Sequence, residues 1–197
     1  MPVSRRALVL VTALVCSATF AQAQRGALTA HRNLAQLTQQ AETIVEGTVI
    51  SAKAEPHPSF NALQTVVVTL RVSRTLKGQA TGALTFRQFI WDMRDRASAA
   101  GYRRGQGLLL FLNKPNENGL TSPAGMEQGR FRLLPSAAGR PSAINGHGNA
   151  ALLQGVPQKL SKVRLSSQTA AMLAKHQAGP IGLDQLEELI TQIEKTQ

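Results

Sequence analysis

The stretch Gln64-Thr65-Val66-Val67-Val68-Thr69-Leu70-Arg71-Val72-Ser73-Arg74-Thr75 decides the fold. Val66, Val68, Leu70 and Val72 alternate with Val67, Thr69, Arg71 and Ser73, the period of two that sends successive side chains to opposite faces of a sheet. Lys77-Gly78 ends this strand with a turn. Ala83 to Ile90 repeats the pattern, with Leu84, Phe86 and Gln88 opposite Thr85, Arg87 and Phe89. On the N-terminal side, Thr43 to Ala52 is rich in β-branched residues and carries Gly47 inside the run, where a glycine marks a bend or bulge. Glu55 to Asn61, with Pro56 and Pro58, reads as a loop. Leu108 to Leu112 is a continuous apolar run, the mark of a strand buried on both faces or of a barrel wall. Gly129 to Leu134 alternates Arg130 and Arg132 with Phe131 and Leu133.

Helical signals lie outside these strands. Asn33 is placed to cap a short helix with Leu34 and Leu37 on one face. Ser167 to Gln177 has helical composition and stops at Gly179-Pro180. Leu183, Leu186, Leu189, Ile190 and Ile193 recur at spacings of three and four, an amphipathic helix with Glu187 and Glu188 on its polar side. Pro135 to Gly148 is rich in Gly, Pro, Ser and Asn and reads as a loop. Five strands, a loop-helix insertion between the third and fourth, and a helical end predict a mainly β (α+β) chain. The expected form is a small five-stranded OB-like β-barrel, with a β-sandwich as the alternative. The expected organisation is a signal peptide over 1–23, a β-barrel domain over 24–165 and a C-terminal helical segment over 166–197.

The first residues carry the export reading. Arg5 and Arg6 precede an apolar run from Ala7 to Val15, and Ala21-Gln22-Ala23 follows with small residues where a signal peptidase needs them. The run is short for a membrane span. Cys16 follows Val15 rather than a small residue, which argues against lipidation. Cleavage after Ala23 removes the single cysteine and, with Arg5 and Arg6, lowers the formal net charge of +11 by two. The expected location is periplasmic or extracellular, with no membrane span after cleavage. Hydrophobic residues at 43% and charged residues at 17% exclude a disordered chain, and one cysteine excludes a disulfide scaffold and a cysteine zinc site.

Several stretches also resemble a family. These are Ala41-Glu42-Thr43-Ile44-Val45-Glu46-Gly47-Thr48-Val49, Val66 to Val72 with Leu76-Lys77-Gly78, Arg87-Gln88-Phe89, Gly105 to Leu112 and Gly129-Arg130-Phe131. They resemble a group of uncharacterised exported bacterial proteins. Their order over residues 41–134 is also similar to the OB barrel of netrin and metalloproteinase-inhibitor type. The resemblance implies a fold and brings no chemistry, because the group has no known function. Tissue inhibitors of metalloproteinases reach their target's zinc through an N-terminal cysteine, which this chain lacks once its signal is removed, so that mechanism is not implied.

Recognisable catalytic signatures are missing from the sequence. Ser122 or Ser142 with His147 and Asp92 would make a nominal triad, but there is no G-x-S-x-G elbow. Asp92 and Asp95 sit among Arg94 and Arg96, which suits a local ion-pair network better than a carboxylate pair with separated pKa values. Gly105-Gln106-Gly107 is not followed by a helix and is no phosphate loop. His147 lies in a glycine turn, and His31, His57 and His176 are far from it in sequence, without ligand spacing. No metal and no cofactor are therefore expected. The most suggestive cluster is Trp91, Arg94, Arg96, Tyr102, Arg103 and Arg104, since arginines among aromatic rings bind anionic groups. The competing reading packs Trp91 and Tyr102 onto the sheet and leaves the arginines solvated. Arg87, Arg130 and Arg132 either extend a basic face or form the ordinary solvated face of amphipathic strands, the reading that their alternation favours.

The expected function is a non-enzymatic binding module with a basic surface. An anionic envelope polymer or an acidic protein surface is the expected partner class, and nucleic acid is not expected outside the cytoplasm. The alternatives are a hydrolase with a dispersed site and a structural or assembly protein that docks through its C-terminal helix.

Overall fold

A computed structural model describes residues 30–136 and 139–196. The expected signal segment, its cleavage point and Cys16 lie outside the described residues. The chain divides into Met1–Ala30 and His31–Gln197, and all described strands and helices belong to the second unit.

Helix α1 (Leu34–Gln40) forms where the Asn33 cap predicts. The Asn33 side chain accepts from the Gln36 backbone N–H at 2.9 Å, and the Gln36 side chain accepts from the Asn33 N–H at 2.9 Å. This reciprocal box satisfies two of the donors that a helix start leaves free. Two long strands follow, β1 (Thr43–His57) and β2 (Phe60–Lys77), then β3 (Ala83–Phe89), β4 (Gly107–Leu112), β5 (Arg130–Ser136), β6 (Gly139–Asn145) and the two-residue β7 (Ile181–Gly182). Between β6 and β7 lie α2 (Val156–Lys159) and α3 (Ser167–Lys175), and α4 (Leu183–Lys195) leaves β7 directly.

All seven strands join one antiparallel sheet in the order β3-β2-β1-β4-β5-β6-β7. The chain is therefore mainly β with helices, as the alternation predicts. Among the described residues the strand count is corrected from five to seven, the sheet is not closed into a barrel, and the strands form one sheet rather than the two of a sandwich. The two extra strands, β6 and β7, arise inside segments of Gly, Pro and Ser. Their ladder is made by backbone groups, for which side-chain pattern gives no signal. The loop expected over Glu55–Asn61 is mostly strand as well. Pro56 pairs with Gln64 of β2, and β4 covers β1 only from Thr43 to Thr48, so the other edge is open where Pro lacks its N–H. Gly47 sits at a register shift, and a Cβ there would meet the Arg71 carbonyl oxygen at 2.6 Å. Only glycine allows that approach.

Two apolar clusters hold the fold. Val45, Val49, Val66, Val68, Leu70 and Phe86 meet Leu108, Leu110 and Leu112 on one face of β1–β4. On the other face, Ile44, Leu109, Phe111 and Phe131 meet Leu34 and Leu37 of α1 and Leu186, Leu189, Ile190 and Ile193 of α4. β4 thus feeds both cores, as its unbroken apolar run requires. Burying each such side chain is worth about 1.5–3 kcal/mol over leaving it exposed. The segment between β4 and β5 makes single bridges to both neighbours of its gap, Leu120 to Arg87 of β3 and Pro123 to Leu112 of β4. Among the described residues, no helix is long and apolar enough to cross a membrane.

Candidate functional site

The insertion between β3 and β4 carries the candidate residues, and a buried anchor positions it. Tyr102 is only 3% exposed. Its hydroxyl donates to Gln88 Oε1 at 2.9 Å, and its ring meets Phe86 edge-on with centroids 5.8 Å apart. Burial pushes the Tyr102 phenol up to about 12, and the nearby Arg130 guanidinium only partly offsets it. Arg130 lies over the ring, 4.7 Å from guanidinium carbon to centroid, and donates to the Ala100 carbonyl at 2.7 Å and to Glu127. Ala99, Ala100 and Gly101 all hold positive φ, at 49°, 52° and 79°. Two consecutive alanines there are strained, and the Arg130 bond to Ala100 holds the turn in place. Tyr102 is thus a structural anchor rather than a ligand-facing ring.

The chain around that anchor turns outward. Trp91 is 74% exposed and Met93 is 56% exposed. The indole stands edge-on to Phe89 with centroids 4.9 Å apart, which fixes a ring that has little other cover. Asp92 caps the 3-10 turn Met93–Arg96 by accepting from the Arg94 N–H, and the same carboxylate binds the Arg94 guanidinium. That bonding and charge raise the Arg94 pKa further above its already high value. Arg94 is therefore committed locally. Arg96, Arg103 and Arg104 are exposed and make no ion pair among the described residues. Arg103 and Arg104 sit on a clamped turn. The Gln106 side chain accepts from the Arg103 N–H, and Gly105 and Gln106 exchange backbone bonds with Val49 of β1.

The expected extension of this surface holds for Arg132 alone. The register pairs Arg130 with Leu110 and Arg132 with Leu108, so both arginines share a face with the apolar cluster of β1–β4. Arg130 is consumed by the anchor, and Arg132 is exposed. Arg87 belongs to the opposite face of β3 from Gln88. It bonds Glu55 at 2.9 Å and Thr65 at 2.8 Å, and this pairing lowers the Glu55 pKa.

The residues of the nominal triad are engaged apart from one another. Ser122 accepts from Asn113, and Asp92 binds Arg94. The His147 ring meets the His31 ring edge-on at 5.9 Å, so two histidines far apart in sequence are neighbours in the fold. The sequence separation of these two residues gave no sign of that contact, which the fold creates by closing the glycine turn against the start of α1. His57 is buried with both ring nitrogens bonded, Nε2 to the Asn118 carbonyl and Nδ1 to the Ser59 N–H. Among the described residues, no group of three or more His, Cys, Asp or Glu side chains could hold a metal ion. Arg130 is the residue holding the insertion that the pattern missed. It reads as one more solvated arginine on an alternating strand.

The expected polar side of α4 is corrected at one position. Glu187, expected on the polar side of α4, is only 3% exposed and pairs with Arg74 at 2.6 Å and Arg140 at 3.3 Å. The apolar face of α4 lies in the protein's own core. Comparison with protein-family models, with curated proteins and with solved structures finds no match for this chain.

Proposed function

We propose that the chain is an exported binding module whose insertion between β3 and β4 takes an anionic polymer of the cell envelope. The observation that carries this reading is a pairing of opposites on one short segment. Trp91 is the only tryptophan of the chain and is largely exposed. The same insertion presents three arginines with no ion pair among the described residues, Arg96, Arg103 and Arg104. An exposed ring braced by Phe89 offers a flat apolar surface, and free guanidiniums offer forked donors for carboxylate, sulfate or phosphate. The net charge of +11, lowered by two with the expected loss of Arg5 and Arg6, stays strongly positive and favours the approach of any polyanion. Periplasmic or extracellular placement follows from the signal pattern. Residues 120–123 bridge to both β3 and β4, which favours an OB-like arrangement of that half of the sheet.

Retention on immobilised heparin tests the proposal. The triple variant Arg96→Gln, Arg103→Gln, Arg104→Gln should keep the parent circular dichroism and elute at clearly lower salt. Equal retention of the folded variant would remove this surface from consideration.

A further inference from the structure

We infer that the outer edge of β3 is a docking site for an extended polypeptide segment, which adds to the sheet as a further strand. The backbone pattern gives the direction of each group. Gly82 accepts from Val72 of β2, and the Ile90 N–H donates to Gln64 of β2, so even-numbered residues of this strand face β2. Arg87 faces the other way, and its carbonyl accepts from the Thr121 N–H at 2.8 Å. By the same alternation, the backbone groups of Ala83 and Thr85 point away from β2. They have no backbone partner among the described residues, and both residues are exposed. A row of free N–H and C=O groups is a template for another strand.

A cleft of about 300 Å³ runs beside this edge. Leu84, Phe86 and Leu112 give it apolar lining, and Asn113, Pro115 and Thr121 line it from the segment that follows β4. The bridge between Arg87 and Leu120 is parallel, and there the protein's own chain already pairs with β3. The chain then leaves the edge through the turn at Asn116–Gly119, so none of the described residues bonds the backbone row beside Thr85. An incoming strand continues that row toward Ala83, with small apolar side chains between Leu84, Phe86 and Leu112. The wall at Pro115 and Thr121 suits one extended chain rather than the sheet edge of a second copy. The basic protein favours acidic residues at the flanks of the guest. This site is separate from the Trp91 insertion and does not depend on the reading of that surface.

The probe is an eight-residue peptide alternating valine and threonine between terminal glutamates, followed by amide exchange and fluorescence anisotropy on the full chain. The control peptide has proline in place of each valine and carries the same charge. Two variants separate backbone from side chain. Thr85→Pro deletes the outward N–H and spares the β2 ladder, because that N–H points away from β2. Thr85→Val keeps the N–H and removes only the hydroxyl, which bonds Thr69 at 3.0 Å. The expected result is binding of the alternating peptide alone, protection of the Thr85 amide, at least tenfold weaker binding by Thr85→Pro, and binding within twofold of the parent by Thr85→Val. If Thr85→Pro does not fold, protection of the Thr85 amide in the parent decides alone. Equal binding of both peptides, undiminished binding by a folded Thr85→Pro, or no protection at Thr85 overturns the proposal. So does self-association of the parent that Thr85→Pro abolishes, since the edge then serves a second copy.

Discussion

The guanidinium of Arg130 lies over the ring of Tyr102, and through that contact β5 fastens the insertion that begins beside the exposed Trp91. Tyr102 is the only tyrosine of the chain, so its titration is read directly from the phenolate absorbance. Its folded pKa is raised to about 12 from 10.0 by burial. The stability tied to this proton is fully present below about pH 10 and is lost as pH rises through about 12. The absorbance of folded protein should therefore midpoint near 12, and urea stability should fall across that interval. A midpoint at the ordinary tyrosine value would place the ring in water.

The same anchor sets the cost of substitution. Tyr102→Phe leaves the buried Gln88 oxygen without its donor and should cost about 1–2 kcal/mol in urea unfolding. Tyr102→Ala adds a cavity between Phe86 and Arg130 and should cost about 3–5 kcal/mol. A change within 0.5 kcal/mol for the alanine variant would contradict the anchor, since surface positions behave in about that way.

Glu187 gives a second pH-dependent term. Burial raises its pKa above 4.5, with Arg74 and Arg140 opposing the shift and Glu46 adding to it. A carboxyl whose folded pKa is raised lends stability that is present below the unfolded value and lost as pH climbs through the folded one. The stability of the parent minus that of Glu187→Gln should thus be greatest in acid and shrink as pH rises above 4.5. Chemical denaturation at a series of pH values checks the slope, and a difference that grows with pH contradicts the assignment.

Asn149 closes the glycine turn. It is fully buried at φ 57°, and its side chain donates to the Ala143 and Gly179 carbonyls and accepts from the Asn145 N–H. Asn149→Ala strands all three groups and puts a residue less tolerant of positive φ at that site. The expected loss is about 3 kcal/mol, in line with leaving buried polar groups unsatisfied. A thermal melt matching the parent would show that the turn is held by other contacts.

The parts of the fold that the sequence makes legible are those whose apolar side chains follow a pattern: alternation, an unbroken run, or spacings of three and four. β2, β3 and β4 follow from Val66–Val72, Leu84–Phe86 and Leu108–Leu112, and α4 follows from Leu183 to Ile193. β6 is hidden because Gly139-Arg140-Pro141-Ser142 has no strand pattern, and its pairing with β5 rests on backbone bonds. The candidate site is legible as a composition, rings among arginines, but the division of labour within it is not. Tyr102 and Trp91 look alike in sequence. One is buried because β3 supplies Gln88 and Phe86 beneath it, and the other is exposed because only Phe89 supports it. Glu187 is misplaced by helical periodicity because its partners, Arg74 and Arg140, come from distant strands.

Titration of Trp91 emission with heparin at low salt tests the central claim most directly, since the chain has no other tryptophan. The expected result is a saturable change that is reversed as salt screens the contacts, over about 8 Å at physiological ionic strength, and that is largely lost in the folded triple variant at Arg96, Arg103 and Arg104. An emission unmoved by heparin in the parent, or moved equally in the triple variant, would contradict it.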